Sequence, residues 1–455
     1  MLEVINPANG APIAELAVDA PDTVAAKYAA ARAAQPAWAA VPLEHRLEML
    51  QRFRGAIVAN LDKLAAILTA EVGKPIKQAR NELNGLLGRI DFFLEHAATT
   101  LAARVVHDAD GMRERIELVP LGVVATISAW NYPYFVGSNV FIPALLSGNA
   151  VLYKPSEYAS LTGCEISKLL HASGVPQDVF AMLVGAGDVG AALLSQPVDG
   201  VFFTGSAATG KRILQSLGPN LVKVQLELGG KDPTYVCEDV DIAAAAASLA
   251  DGAMYNTGQS CCSVERIYVH AAIHDAFVEA FLKEVGGMRV GLPTLEDSYI
   301  GPLTREPQLQ VLERQVADAV AKGARVLTGG KRIDQPGNWF EPTVLVDVDH
   351  TMAVMRDESF GPIIGIQKVV DDDEAVHLMN DTDYGLTAGV YTRSEARAQR
   401  ILSRVHAGSV YWNCCDRVSP RLPWSGVKQS GIGLTLSTYG IETFTRPKAW
   451  HLRSA

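Results

Sequence analysis

No stretch of this chain is both long and apolar enough to cross a bilayer, and none is basic enough to follow a phosphate backbone. The Ala-rich runs near 24–40 and 243–254 are interrupted by Lys27, Arg32 or Asp251, so they read as amphipathic or buried helices. Lys and Arg number 40 against 50 Asp and Glu, a net charge of −10. That excludes sequence-independent nucleic-acid binding, which needs clustered cations. Cysteine is scarce: 6 in 455 residues, without regular spacing, fit free thiols in a reducing compartment rather than a disulfide framework. The opening "MLEVINPANG" carries Glu3 and no apolar core, so no secretory signal is expected and the cytoplasm is the expected location. Internal repeats and low-complexity linkers are lacking too.

What is present is an ordinary globular composition, 48% hydrophobic and 20% charged, in a chain too long for one core. Two or three domains are expected. The first hundred residues read mainly as helices, with apolar positions recurring at three and four through 47–67 and 83–93. "RVVHDADGMRERIELVP" then shows two strand-like runs around an "ADG" turn, a hairpin reaching outside the core. From 123 to 230, short β-branched runs ("VVATISAW", "AVLYKPS", "VFAMLV", "GVFFTGS", "LVKVQLELGG") alternate with helix-like segments, which argues βαβ units and a parallel sheet. A second set ("RIYVH", "PTVLVDV", "IIGIQKVV", "AGVYT", "GSVYWN") predicts a second α/β domain over about 265–413. Ligands on such sheets sit at the carboxyl ends of the strands.

Two motifs look like phosphate sites. "GAGDVG" (185–190) matches G-x-G-x-x-G, but the acidic residue expected about twenty positions on is replaced by "FFTGS". "GSAATGKR" (205–212) has Arg212 where a P-loop needs Ser or Thr for magnesium, so a nucleotide triphosphatase is not expected. A strand ending in Gly205-Ser206 before a helix still suits a phosphate, through the helix's unpaired N–H groups. An ordinary Ser N-cap is the equal alternative.

"NTGQSCCS" (256–263) places two adjacent thiols in a polar loop. A reactive thiol needs help to ionise, donors for an oxyanion, and a base for a second half-reaction. Adjacent side chains diverge, so only one is expected to meet a small substrate. "ELGGK" (227–231) sets Glu227 at a strand end beside two glycines, and "AWNYP" (129–133) sets the Asn131 amide at another. The bland readings are a surface acid and a turn residue before Pro133. The pairs Cys261-Cys262 and Cys414-Cys415 lack the spacing of zinc ligands, and His270 and His274 lack a partnering glutamate, so no metal is expected.

Taken together, "WNYP" (130–133), "KPSE" (154–157), "FTGS" (203–206), "ELGGK", "NTGQSC" (256–261), "ESFGP" (358–362), "NDTDYGL" (380–386), "VYWN" (410–413) and "PWSGVKQSGIG" (423–433) resemble the aldehyde dehydrogenase superfamily nearly end to end. The resemblance selects Cys261 as nucleophile, with Cys262 its inert neighbour. It implies a thiohemiacetal on Cys261, an oxyanion held by the Asn131 amide and the Cys261 N–H, and a thioester hydrolysed by a water that Glu227 deprotonates. Glu227 further implies release of a free acid rather than acyl transfer to coenzyme A.

For the cofactor, the resemblance implies Lys154 and Glu157 on the adenosine ribose, Ser206 at the pyrophosphate, Glu358 on the nicotinamide ribose and Phe360 near the ring, with Trp130 and Gly205 also cofactor-binding. Glu157 favours NAD, with NADP possible as well. Tyr132, Val136, Asn139, Tyr255, Ser260, Val418 and Trp424 are expected to line the substrate channel. Its aromatics suggest an uncharged aliphatic or aromatic aldehyde. Arg417 and Arg421 keep a succinic semialdehyde-type substrate as the alternative, against a solvated loop face. The chain departs from the family at Val140, where many relatives carry a lysine, and at Ser425, which replaces a glycine near the pocket.

The implied fold class is α/β: a Rossmann-like parallel-sheet NAD-binding domain (1–101 and 121–229), a second α/β catalytic domain (230–429), and a β-strand oligomerisation arm (102–120 and 440–455). The arm pairs the hairpin with "PKAWHL", and a dimer or tetramer is expected. Partners are then a small aldehyde and other copies of the chain, with no nucleic acid and no membrane. An esterase using the same thiol without cofactor, and a non-catalytic binding protein, are the competing classes.

Overall fold

The computed structural model describes residues 1–218, 221–415 and 417–454. It opens on an antiparallel hairpin, β1 (Leu2–Ile5) and β2 (Pro12–Leu16), which the mainly helical reading of this region passed over. Four helices follow: α1 (Pro21–Ala40), α2 (Leu43–Ala59), α3 (Leu61–Val72) and α4 (Ile76–Leu101). α3 stops at Gly73, whose φ of 83° is the left-handed cap that only glycine adopts freely. α4 buries the expected stripe of Leu83, Leu86, Ile90 and Phe93, and with it two charged residues, Glu82 and Arg89.

β3 (Arg104–Ala109) and β4 (Met112–Pro120) form the expected hairpin. Asp110 and Gly111 turn it with φ of 52° and 72°, the two left-handed residues of a twist-matched tight turn.

The βαβ region runs β5 (Val123–Ser128), α5 (Pro133–Leu146), β6 (Ala150–Pro155), α6 (Ser160–Ala172), β7 (Phe180–Met182), α7 (Gly187–Leu194), β8 (Gly200–Thr204), α8 (Ala207–Leu217) and β9 (Lys223–Glu227). Its strands pair in parallel, in the order β9-β8-β5-β6-β7. A two-residue strand from far along the chain, Gly431–Ile432, closes the β9 edge antiparallel.

The second sheet is built from β10 (Asp232–Val236), α9 (Ile242–Met254), β11 (Val264–His270), α10 (His274–Gly286), α11 (Glu306–Ala321), β12 (Arg325–Thr328), β13 (Thr343–Val346), α12 (Ala353–Arg356), β14 (Ile363–Val369), α13 (Asp372–Asn380), β15 (Thr387–Tyr391), α14 (Glu395–Leu402) and β16 (Ser409–Trp412). Its order is β12-β13-β14-β11-β10-β15-β16, parallel except for the edge pair β12-β13. Strand Gly431–Ile432 is β17; α15 (Ser437–Glu442) and β18 (Thr445–Arg453) end the chain. β18 pairs along β4 from Thr445↔Pro120 to Arg453↔Met112, so hairpin and C-terminal strand share one three-stranded sheet. All six residues of β3, its outer strand, are exposed. Among the described residues no helix is long and apolar enough to cross a membrane.

The inner strands β5, β6 and β13 are buried almost throughout on both faces, which is why they read as near-continuous apolar runs. Between helices and sheet, Phe53, Phe141, Tyr153 and Phe180 interlock, mostly edge to face. Beside this core lies a fully buried ion pair, Lys74–Glu82. The other Glu82 oxygen accepts from Tyr134 N at 2.9 Å, so α4 supplies the anion that the α5 N-terminus favours. Lys74→Met should strand that carboxylate and destabilise the protein by about 3–5 kcal/mol. The check is the urea unfolding midpoint; an unchanged midpoint would mean that the pair is dispensable.

Candidate active site

The thiol loop sits between α9 and β11, and its backbone is unusual. Asn256, Thr257 and Gly258 are left-handed in succession, with φ of 54°, 58° and 70°. A β-branched residue there is strained and persists only when its surroundings over-determine it. They do. Asn256 N donates to Gln78 Oε1 (2.9 Å), and Asn256 Nδ2 to Asn131 O (3.2 Å) and Gln259 O (3.0 Å). Thr257 Oγ1 donates to Gly301 O (3.2 Å), and Gln259 Oε1 accepts from Thr304 N (2.9 Å). A side chain at Gly258 would collide with Gly361 O.

The loop delivers Cys261 half-buried to a cavity of about 710 Å³. Cys262 also contributes to the wall, unlike the expectation that only one thiol reaches it. Burial separates the two: Cys262 is 4% exposed within the core, its Sγ 3.4 Å from Ser260 Oγ. Glu227, ending β9, lines the same cavity. So do all seven channel residues read from the sequence: Tyr132, Val136, Asn139, Tyr255, Ser260, Val418 and Trp424. Asn131 is buried, is not among the lining residues, and donates Nδ2 to Gln259 O at 3.1 Å.

Arg417 and Arg421 line the cavity while remaining exposed, which places them at its mouth. Val140 packs in the core, and Ser425 is not among the lining residues, so neither departure shapes this wall. Sequence reasoning missed the α4 side altogether. Asn81, Glu82, Gly85 and Arg89 line the cavity from that helix, and Phe135 lies against it. A Cβ on Gly85 would stand 2.7 Å from the Phe135 ring. The Arg89 guanidinium lies 3.8 Å over that ring and donates to Asn139 Oδ1 at 2.9 Å. The available signal was a charge inside the apolar stripe Leu86–Ile90–Phe93.

Burial pushes the Glu227 carboxyl up to about 7, held back by a hydrogen bond from Thr435 Oγ1 and by the charge of Arg89. A buried carboxyl near neutrality is suited to general-base work.

A second cluster lies at the carboxyl ends of β5, β6 and β8. Lys154 is 4% exposed and donates Nζ to Pro155 O (3.1 Å); burial lowers its pKa against the charges of Glu157 and Asp188. Glu157 accepts from Ser156 Oγ at 3.2 Å. Ser206 caps α8 by accepting from Thr209 N (3.3 Å) and is itself exposed, leaving that helix end open. Lys211 of the near-miss P-loop donates to Gln429 Oε1 (2.8 Å), and a Cβ on Gly190 of "GAGDVG" would stand 3.7 Å from the Lys154 stem.

Opposite stand Glu358 and Phe360. Glu358 accepts from Gly230 N at 3.1 Å, and any side chain on Gly229 would strike its carboxyl. Burial, with Glu265 nearby, raises Glu358 to about 8. Phe360 is left-handed (φ 48°), and its ring lies 5.5 Å from that of Trp130. Glu265 holds this turn, accepting from Ser359 N (2.8 Å), Phe360 N (2.9 Å) and Lys231 Nζ (2.7 Å). A buried lysine, an open helix N-terminus, and a carboxyl two residues before a ring that pairs with Trp130 fit the ribose, diphosphate and nicotinamide of a dinucleotide. Among the described residues no group of three His, Cys, Asp or Glu side chains is arranged to hold a metal.

Comparison with known proteins agrees along the whole chain. Residues 1–450 match the model of the aldehyde dehydrogenase family. The chain is 38% identical to 3,6-anhydro-α-L-galactose dehydrogenase of Streptomyces coelicolor, over 100% of this chain and 93% of that one. It superposes on an E. coli NADP-dependent enzyme with a TM-score of 0.97 at 32% identity, covering 100% and 95% of the two chains. It superposes on PnpE in complex with nicotinamide adenine dinucleotide with a TM-score of 0.96 at 33% identity, covering 99% and 94%.

The raised carboxyl of Glu227 has a consequence for stability. The folded state keeps a proton up to about 7 that the unfolded chain releases near 4.5, so stability falls as pH rises through that window. Glu227→Gln should remove this contribution, on the order of 3 kcal/mol, and flatten the part of the decline in unfolding free energy that falls between pH 4.5 and 7. Parallel slopes for the two proteins in urea titrations would show that the carboxyl is not perturbed.

Proposed function

Since the chain belongs to the aldehyde dehydrogenase family, whose members are NAD(P)-dependent oxidoreductases, we propose that it oxidises an aldehyde to the free carboxylic acid through a covalent intermediate on Cys261. The observation that carries this reading is that Cys261 and Glu227 share one cavity beside the dinucleotide-fitting cluster. The Cys261 thiolate attacks the carbonyl carbon, forming a C–S bond and leaving charge on oxygen. The donors for that oxygen are the second Asn131 amide hydrogen and the Cys261 N–H, which has no acceptor among the described residues. Bound NAD(P) supplies the hydride acceptor. The thioester on Cys261 is then opened by a water whose proton goes to Glu227, and the acid leaves.

Lys154 and Glu157 would hold the adenosine ribose, Gly205 and Ser206 the diphosphate, Glu358 the second ribose, with Trp130 and Phe360 flanking the nicotinamide. Glu157 argues for NAD over NADP, because a 2′-phosphate would meet its carboxylate. The sequence favoured an uncharged aldehyde and kept a carboxylated one second. With Arg89 added to Arg417 and Arg421, the cavity favours an aldehyde carrying acceptor oxygens. The Streptomyces relative is named for such a compound.

The cofactor domain is read as 1–101 with 121–229, the catalytic domain as 230–429, and the arm as 102–120 with 440–455. The exposed outer strand β3 supports an arm that docks on another copy in a dimer or tetramer.

Cys261→Ala should abolish aldehyde-dependent NAD(P)H formation. Glu227→Gln should keep a first-turnover burst near one NAD(P)H per site while steady turnover slows about 10²–10⁴-fold. Stopped-flow absorbance reads both, and loss of the burst would reassign Glu227 to activating the thiol. Glu157→Ala should raise the NADP-to-NAD ratio of kcat/KM about tenfold; an unmoved ratio would take Glu157 off the ribose.

A further inference from the structure

We propose that Arg89 is a specificity-determining residue, which takes an acceptor oxygen on the carbon chain of the aldehyde. The proposal relies on the dehydrogenase reading only for the reacting group. Position 89 lies in the buried stripe of α4, between Leu86 and Ile90, where packing alone calls for hydrocarbon. A guanidinium stands there instead, 6% exposed and on the cavity wall.

Its plane is fixed from two sides. Phe135 lies under it at 3.8 Å, in space that Gly85 leaves open, and Asn139 Oδ1 takes Nη1 at 2.9 Å. Of its five N–H donors, Asn139 accepts the one hydrogen bond made among the described residues, and no carboxylate there lies within 4.0 Å. The nearby acids are occupied: Glu82 by Lys74 and the α5 N-terminus, Glu227 by Thr435. Burial draws the pKa of Arg89 to about 10, with Glu227 and Glu82 opposing, so it remains charged at neutral pH.

A buried cation with spare donors and no anion in contact is costly unless something completes it. The cavity is where the completing atom can come from. Arg417 and Arg421 at the mouth add the same sign of charge. A rigid, stacked guanidinium binds without first losing side-chain freedom, which suits recognition of a carboxylate or of vicinal hydroxyls.

The test compares isosteric pairs: succinic semialdehyde against 4-methylpentanal, and glyceraldehyde against 2-methylbutanal. The wild type should prefer the oxygenated member of at least one pair, and the pair identifies the acceptor as carboxylate or hydroxyl. In Arg89→Met that preference should fall about 10- to 100-fold, mostly through KM, with Arg89→Lys recovering part of it. Calorimetric titration with the acids succinate and glycerate reads the same contact without turnover, and at least one should bind about tenfold more weakly to Arg89→Met. That arm decides the matter even if no aldehyde is oxidised, an outcome that would count against the dehydrogenase reading alone. Unchanged preference and unchanged acid binding in Arg89→Met, with a native near-ultraviolet spectrum, would overturn the proposal. So would an equal fall in kcat for all four aldehydes with a displaced pH profile, which would mean that Arg89 acts through Glu227.

Discussion

The site depends on a backbone conformation that the chain would not adopt by itself. Three left-handed residues precede Cys261, and one of them is threonine. Gln78 from α4, Asn131 from the end of β5, Gly301, Thr304 and the backbone at Gly361 all close on those residues. Each contact is an ordinary hydrogen bond or a van der Waals limit. Together they hold a local minimum that costs of order 1–3 kcal/mol per strained residue. Because these partners come from both sheets and the helical layer, the thiol's position reports correct assembly of the whole fold.

Burial supplies the chemistry that this geometry positions. Glu227 and Glu358 are both raised by desolvation, to about 7 and 8, yet the neighbours differ. Glu227 feels a cation, Arg89, and takes a hydroxyl proton donor, so it ends near neutrality with access to the cavity. Glu358 feels another acid, Glu265, and accepts a backbone N–H from a strand end where glycine is sterically required. A neutral carboxyl there donates as well as accepts, which suits the diol of a ribose. The buried Lys231–Glu265 pair serves a different end: it holds the turn that carries Glu358 and Phe360.

Much of this was legible in the residues. Alternation of β-branched runs with helices marked the strands of the first sheet, because strands buried on both faces must be apolar throughout. The "ADG" signal marked the β3–β4 hairpin because its two central residues need positive φ. Other elements were hidden for physical reasons. β10 begins Asp-Pro, which locally reads as a turn, and β12 has four residues, too few for a period. β1 and β2 are short and largely exposed, so neither shows a buried face. The channel residues were legible through motif position, whereas the α4 wall was not. Its contribution comes from long-range packing: Gly85 is informative only once Phe135 is known to lie over it.

Arg89 ties recognition to catalysis through its field. Its charge lowers the proton affinity of Glu227, which burial raises. An oxygenated aldehyde completes the guanidinium, and an alkyl aldehyde of the same shape leaves it incomplete. Discrimination then rests on binding, from a single side chain on a helix outside both sheets.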